Sequence, residues 1–330
     1  MQDVYLARDL SFDRMVALKC PKNSAAEKRF SRSAKIASRI NHPNVARTLD
    51  YVSADGADYL VEEYISGRDL KQIRTAMPLM DPYAAAHVAH HVAKGLAASH
   101  HAGVVHRDLK PSNIMVPTGL DLASVKITDF GIAKMAEAEL SQTLDEETIT
   151  SSSTMAGALP YMAPEMLRGA KYGEKPADVW SIGAMIYEFF SGAKPFGKNF
   201  DAVDLIKRAE VPAPPSFAEK PQFSEMAAEL YAIIKQCLAK EPADRISADE
   251  LVRAVSGLCY PLGPRVTGQV MEVRYGTQFF AETDQGKVFF HADSVYGELP
   301  SRRDRVSMRV FPGIPFPRAH PVVVGRRAAT

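Results

Sequence analysis

Cysteine is scarce. Cys20, Cys237 and Cys259 are the three in 330 residues. They are far apart, odd in number and never spaced C-x-x-C. That excludes a disulfide framework and a cysteine zinc site, and it fits a reducing compartment. Long apolar runs are missing too. No stretch approaches the roughly 18 residues that a spanning helix needs. The opening MQDVYLARDL has neither the basic nor the apolar region of a signal peptide. A cytoplasmic protein with no membrane partner is expected. Charge of one sign is also lacking. Lys and Arg number 40 against 39 Asp and Glu, and a net charge of +1 selects no class of partner. What is present is ordinary globular composition, 46% hydrophobic and 24% charged, in a chain long enough for about two domains.

The pattern along the chain divides it. VYLARD and MVALKC are short apolar or β-branched runs joined by the polar LSFDR, and they read as strands. Residues 24–40 fit a helix stopped by NHPN. YLVEEYI reads as another strand. Helical patterns cover 82–101, 174–191, 224–239 and 247–256. Residues 137–154, EAELSQTLDEETITSSST, have few apolar anchors and read as a mobile loop. Near Cys259 a Pro/Gly linker, YPLGPRVTG, leads into the alternating runs QVMEVRY, QFFAET, KVFFHAD and RVSMRVF. The expected class is α+β: a small β-rich lobe, a larger helical lobe and a separate all-β tail of about 60 residues.

Between the helical patterns, His106–Asn113 spell HRDLKPSN, with Asp108 and Asn113 five residues apart before IMV. ITDFG follows at 127–131. VALK ends upstream at Lys19, and YMAPE ends downstream at Glu165. DVWSIG at 178–183 and Arg245 in PADR complete the order. Singly these matches are weak; in this order they are very specific. Residues 1–257 resemble the protein kinase family, and KPSN after the Asp places the resemblance with eukaryotic-like, bacterial-type Ser/Thr kinases.

The resemblance implies a bilobal kinase fold, with an incomplete N-lobe over 1–65 and a C-lobe over 66–257. It implies transfer of the ATP γ-phosphate to Ser/Thr hydroxyls of a protein substrate, with ATP and Mg2+ as cofactors. Such chemistry asks a protein for positioning and charge neutralisation. Asp108 would orient the attacking hydroxyl and Lys110 would sit beside the γ-phosphate. Asn113 and Asp129 would offer the oxygen ligands that Mg2+ prefers. Lys19 would hold the α and β phosphates. Val4 and Ala17 would roof the adenine and Met115 would floor it, with the Glu63 carbonyl and Ile65 amide at its edge. Arg107 would pair with a phosphorylated residue of the 137–154 loop, where Thr148, Thr150 and Thr154 are candidates. Glu165 would bridge to Arg245, and Asp178 would anchor the catalytic loop.

Four departures from the family pattern stand out. The Gly-rich loop is nearly absent: with Val4 as the last position of G-x-G-x-x-G-x-V, the final Gly falls on Gln2 and the others precede Met1. Either the phosphate lid is missing, or Met1 lies inside a longer protein; an unpaired sheet edge favours the latter. The expected helix Glu falls on Ser33, and Glu27 lies about 240° around the helix. Glu62 stands at the gatekeeper position, where a buried carboxylate needs a cation. Lys19 is the candidate partner, so Glu62 would replace the helix Glu; the other reading turns Glu62 out to water. Ala158 replaces a Thr that normally bonds near the catalytic Asp and Lys. A low-activity kinase, or a pseudokinase scaffold working through its tail, stays open as the alternative.

After a linker at 258–265, residues 266–325 resemble a cold-shock domain, an OB-type barrel. Gly268, Val270, Phe279, Phe289 and His291 match its pattern, while Glu272, Thr277 and Ala292 replace aromatics. The resemblance implies weak single-stranded nucleic-acid binding, with Phe279, Phe289 and His291 on one face near Arg274 and Lys287. A barrel packed on the kinase or used for protein contacts is the alternative.

Overall fold

In the computed structural model, residues 2–21, 37–54, 57–118, 124–130, 157–169, 172–197, 201–258 and 264–325 are described. The first sheet is antiparallel, in the order β1 (Gln2–Asp9), β2 (Arg14–Pro21), β4 (Ala57–Glu63) and β3 (Thr48–Ala54). Asp9 closes the β1–β2 turn. Its carboxylate accepts from the amides of Ser11 and Phe12 at 3.0 and 3.3 Å and from Arg14 Nε at 3.1 Å. This is the local work that makes Asp common in turns. Among the described residues β1 pairs with β2 alone.

The helical lobe forms around two helices. The first, α2 (Pro82–His101), begins at Asp81, whose side chain accepts from the Ala84 amide at 3.2 Å. Proline at the first helical position fits because no partner is needed there. The second, α3 (Lys175–Ser191), buries residues on every side, Trp180, Phe189 and Phe190 among them. A helix apolar all round belongs inside a core. It ends at Gly192, whose φ of 78° suits a residue without Cβ. Before α2 lies α1 (Leu70–Ala76). After α3 come α4 (Asp201–Arg208), α5 (Ser224–Cys237) and α6 (Ala248–Ser256), the last opened by a capping box of Ser247 and Glu250. The expected patterns at 82–101, 174–191, 224–239 and 247–256 thus become helices. Most of the 24–40 pattern lies outside the described residues.

A small three-stranded sheet positions the chemistry. Its order is β5 (Gly67–Asp69), β6 (Ile114–Pro117) and β7 (Lys126–Ile127). Ile114 faces Ile127 across β6 and β7, so the residues just before β6 and just after β7 meet.

Residues from Val266 onward form a closed barrel: β8 (Val266–Arg274), β9 (Gln278–Thr283), β10 (Gly286–His291), β12 (Arg305–Phe311) and β13 (Arg318–Val324), with β11 (Val295–Tyr296) added beside β13. Strands run β10-β9-β8-β12-β13, and a parallel β10–β13 pairing closes the ring. Phe279 contradicts its expected place. It is buried and stacked on Phe290 inside the barrel at 5.2 Å. Successive strand residues face opposite ways, so its neighbour Phe280 and the facing Phe289 point away from the barrel interior, Phe280 being covered there. The platform of Phe279, Phe289 and His291 on one face does not exist.

The barrel is also less separate than expected. Tyr296 and Val323 belong to the helical lobe's core cluster. The Tyr296 ring meets Phe217 and Phe223 edge-on, both at 5.0 Å. Arg265, expected in the 258–265 linker, pairs at 2.6 Å with Asp81, whose side chain is fully buried. Lys220 donates to the carbonyl of Val295 at 2.6 Å.

Candidate active site

The HRDLKPSN segment is held from below. Both oxygens of buried Asp178 accept backbone amides, from His106 at 2.8 Å and Arg107 at 2.7 Å. His100 adds a third contact to Asp178 at 2.9 Å. The expected anchor role of Asp178 therefore has a geometry, and His100 is a partner that the motif did not suggest. A second tie comes from the side. His106 Nε2 donates to the Thr128 carbonyl at 2.9 Å, and the Thr128 amide donates to the Asn113 carbonyl at 2.9 Å. Arg107 and Asp129 both take positive φ, 65° and 64°. Non-Gly residues rarely hold that conformation, and it is enriched at functional sites.

These ties gather the chemistry-bearing side chains. Lys110 Nζ lies 2.7 Å from Asp108 Oδ2. Asn113 Nδ2 donates to the Asp108 carbonyl at 2.8 Å and to Oδ2 at 3.3 Å. That leaves the Asn113 amide oxygen as its acceptor. Ala158 brings no hydroxyl, yet the Asp108–Lys110 pair forms.

Across the cleft, Lys19 Nζ sits 2.5 Å from Glu62 Oε2 and 2.7 Å from Asp129 Oδ1. The expected Lys19–Glu62 pair is present, and the outward-turned Glu62 is not. Burial works against the Lys19 charge, but Asp129 and Glu62 outweigh it and hold the amine above its ordinary pKa. For Glu62, burial pushes the carboxyl up, Lys19 pulls it back and Asp129 pushes again; the net direction is upward. One cation is shared by two carboxylates, so the more deeply buried acid is the harder to ionise.

The remaining candidates spread around this centre. Val4 faces Lys19 in register on β1 and is 57% exposed. Ala17 lies on β2 and Met115 on β6, both half-buried, and Ile65 is buried just past β4. The Glu63 carboxylate is engaged by Lys126 at 2.9 Å and by the Arg47 amide at 3.2 Å. Glu165 and Arg245 form the expected bridge, with two contacts at 2.6 and 2.8 Å. Thr148, Thr150, Thr154 and Ser33 lie outside the described residues.

A metal is testable on the donor set. Among the described residues no three His, Cys, Asp or Glu side chains cluster as a cage. Asp129 and Asn113 offer hard oxygens from adjoining segments. That suits a Mg2+ ion, which is commonly shared with phosphate and water rather than caged by protein.

Comparison with known proteins agrees with this centre. The protein kinase domain family matches residues 1–255. The serine/threonine-protein kinase pkn3 of Myxococcus xanthus is 34% identical over 261 residues, 77% of this chain and 47% of that protein. PrkC of Bacillus subtilis is 30% identical over 259 residues, covering 77% and 38%. PknB of Mycobacterium tuberculosis is 33% identical over 264 residues, covering 77% and 40%. The chain thus spans less than half the length of these relatives. A crystal structure of Rad53 in complex with AMP-PNP is similar with a TM-score of 0.58 and 25% identity, over 77% of this chain and 61% of that one. Among the described residues no helix is long and apolar enough to cross a membrane.

Proposed function

Because this chain belongs to the protein kinase family, we propose that it transfers the γ-phosphate of ATP to Ser/Thr hydroxyls of proteins. The observation that carries the reading is the joined set of Asp108, Lys110 and Asn113 facing Lys19 and Asp129. Asp108 accepts the hydroxyl proton or orients it. Lys110, already paired with Asp108, places positive charge where the phosphoryl group passes. Lys19 binds the α and β phosphates, and the base lies among Val4, Ala17, Ile65 and Met115. Asp129 and the Asn113 amide oxygen would hold Mg2+, which neutralises phosphate charge when bound. Arg107 orders the 137–154 loop once Thr148, Thr150 or Thr154 is phosphorylated.

The test is transfer of labelled phosphate from Mg-ATP to the chain itself or to a generic basic protein, read as phosphoserine and phosphothreonine. No transfer with Mg2+ or Mn2+ would leave the scaffold reading, which Ala158 favours. For the barrel, the ring order with parallel β10 and β13 supports an OB type. Its outer ring Phe280 is buried, with Lys287 and Arg274 over it at 4.5 and 4.9 Å. Occupied faces do not stack bases, so packing on the helical lobe is the better-supported role. Titration with single-stranded DNA and RNA at low salt tests the other.

A further inference from the structure

We propose that Glu62 is a positioning residue that keeps Lys19 in place while Asp129 exchanges Lys19 for a divalent cation. This rests on the kinase reading of the site. Lys19 bridges two carboxylates of unlike character. Glu62 is on β4 of the first sheet and its side chain is 6% exposed; Asp129 follows β7 in the other lobe and is 30% exposed. Asp129 is therefore the partner that a ligand in the cleft can reach. Glu62 is closed off from it.

Sheet register places Glu62 and Lys19 on one face. Glu62 faces Ala17 across β2 and β4, and Lys19 is two residues along β2 from Ala17. Residues two apart on a strand share a face, so Glu62 and Lys19 are diagonal neighbours within side-chain reach. Ala17 between them is too small to intervene. When an Asp129 oxygen turns to a cation, Lys19 loses one counter-charge and gains a nearby positive charge. Without a second anion it would either leave the phosphate position or stay on Asp129 and compete with the metal. Glu62 removes that competition. Both strands belong to one sheet, so the lysine and its counter-ion are carried by the same element.

The test is binding of a fluorescent ADP analogue across a Mg2+ titration, with a thermal melt for each variant. Glu62→Gln should raise the half-saturating Mg2+ concentration about tenfold, equivalent to ~1.4 kcal/mol. Glu62→Asp, which keeps the charge one methylene short, should move it the same way by less, and it carries the test if the first variant fails to fold. In a Lys19→Met background, Glu62→Gln should move the Mg2+ curve no further. A lowered melting temperature with an unmoved Mg2+ curve would overturn this inference alone, since that is what a merely structural Glu62 gives. Wild-type protein that binds no adenine nucleotide at any Mg2+ concentration would overturn the kinase reading and this inference with it.

Discussion

Tyr296 donates its hydroxyl to the carbonyl oxygen of Phe190 at 2.9 Å, and its ring is fully buried against the end of α3. A barrel residue thus completes the helical lobe's core. Tyr296→Ala should cost roughly 3–5 kcal/mol, the range for losing a buried aromatic ring. Tyr296→Phe should cost less, about 1–3 kcal/mol, from the unsatisfied carbonyl. Chemical denaturation of the whole chain measures both. Two separate unfolding transitions, with only the barrel's affected, would refute the shared core.

Asp108→Asn keeps the size of the side chain and removes its basicity. Phosphate transfer should fall by about 10²–10⁴-fold, the usual contribution of a positioned acid–base group. Nucleotide affinity should stay near that of the wild type. Parallel transfer and binding assays check the split, and an equal loss in both would point to misfolding rather than chemistry.

Arg245 is fully buried at its side chain, where it meets Glu165 and the carbonyls of Ala239, Pro176 and Lys240. Removing one partner of such a bridge strands the other. Arg245→Met should lower stability by about 3–5 kcal/mol. Substituting Glu165 and Arg245 together should lose less than the sum of the two single losses. A double-mutant cycle followed by urea unfolding tests this, and additive losses would mean that the pair is not coupled.

His320 stacks on Phe223 at 5.4 Å at the same junction. Burial holds it below its ordinary 6.5, opposed by Asp81 and reinforced by Arg309. The unfolded chain therefore takes up a proton before the folded one. Stability should be intact above about 6.5 and should decline as pH falls toward the lower folded value. Half-buried His42 and His90 shift in the same direction, desolvation being the largest cause for each. Melting temperatures at about pH 7.5 and 5.5 should fall less steeply for His320→Gln than for the wild type. Identical slopes would show that His320 protonates freely in the fold.

Cys237 is fully buried, and burial pushes its thiol up to about 12, with Arg245 pulling weakly back. Thiolate is the reactive form. Iodoacetamide should leave Cys237 unlabelled in native protein at neutral pH and label it in denaturant, while half-buried Cys20 reacts before Cys237. Peptide mass mapping reads the order. Native labelling of Cys237 would contradict its place in the core.

The sequence alone determined what local rules can carry. The helical pattern over 82–101 was legible because periodicity and backbone preferences act within a few residues, and the folded chain adds the Asp81 cap and Pro82 at the start of α2. The chemistry was legible because HRDLKPSN, TDF and VALK keep residue types and order that phosphoryl transfer needs. It also posed the Glu62 question, since a carboxylate at that place calls for a cation. Only tertiary structure could answer it: Lys19 and Asp129 are 110 residues apart in the chain, and a strand register and a lobe contact bring Glu62, Lys19 and Asp129 together. Phe279 shows the same limit. In QFFAET two adjacent aromatics alternate faces, and which one turns inward depends on pairing with β10, not on their identity. Tyr296 and Arg265 read as ordinary barrel and linker residues, because nothing local records that Phe190, Phe223 and Asp81 wait on another surface. Those partners are set by how whole elements pack, and that packing is a property of the folded chain.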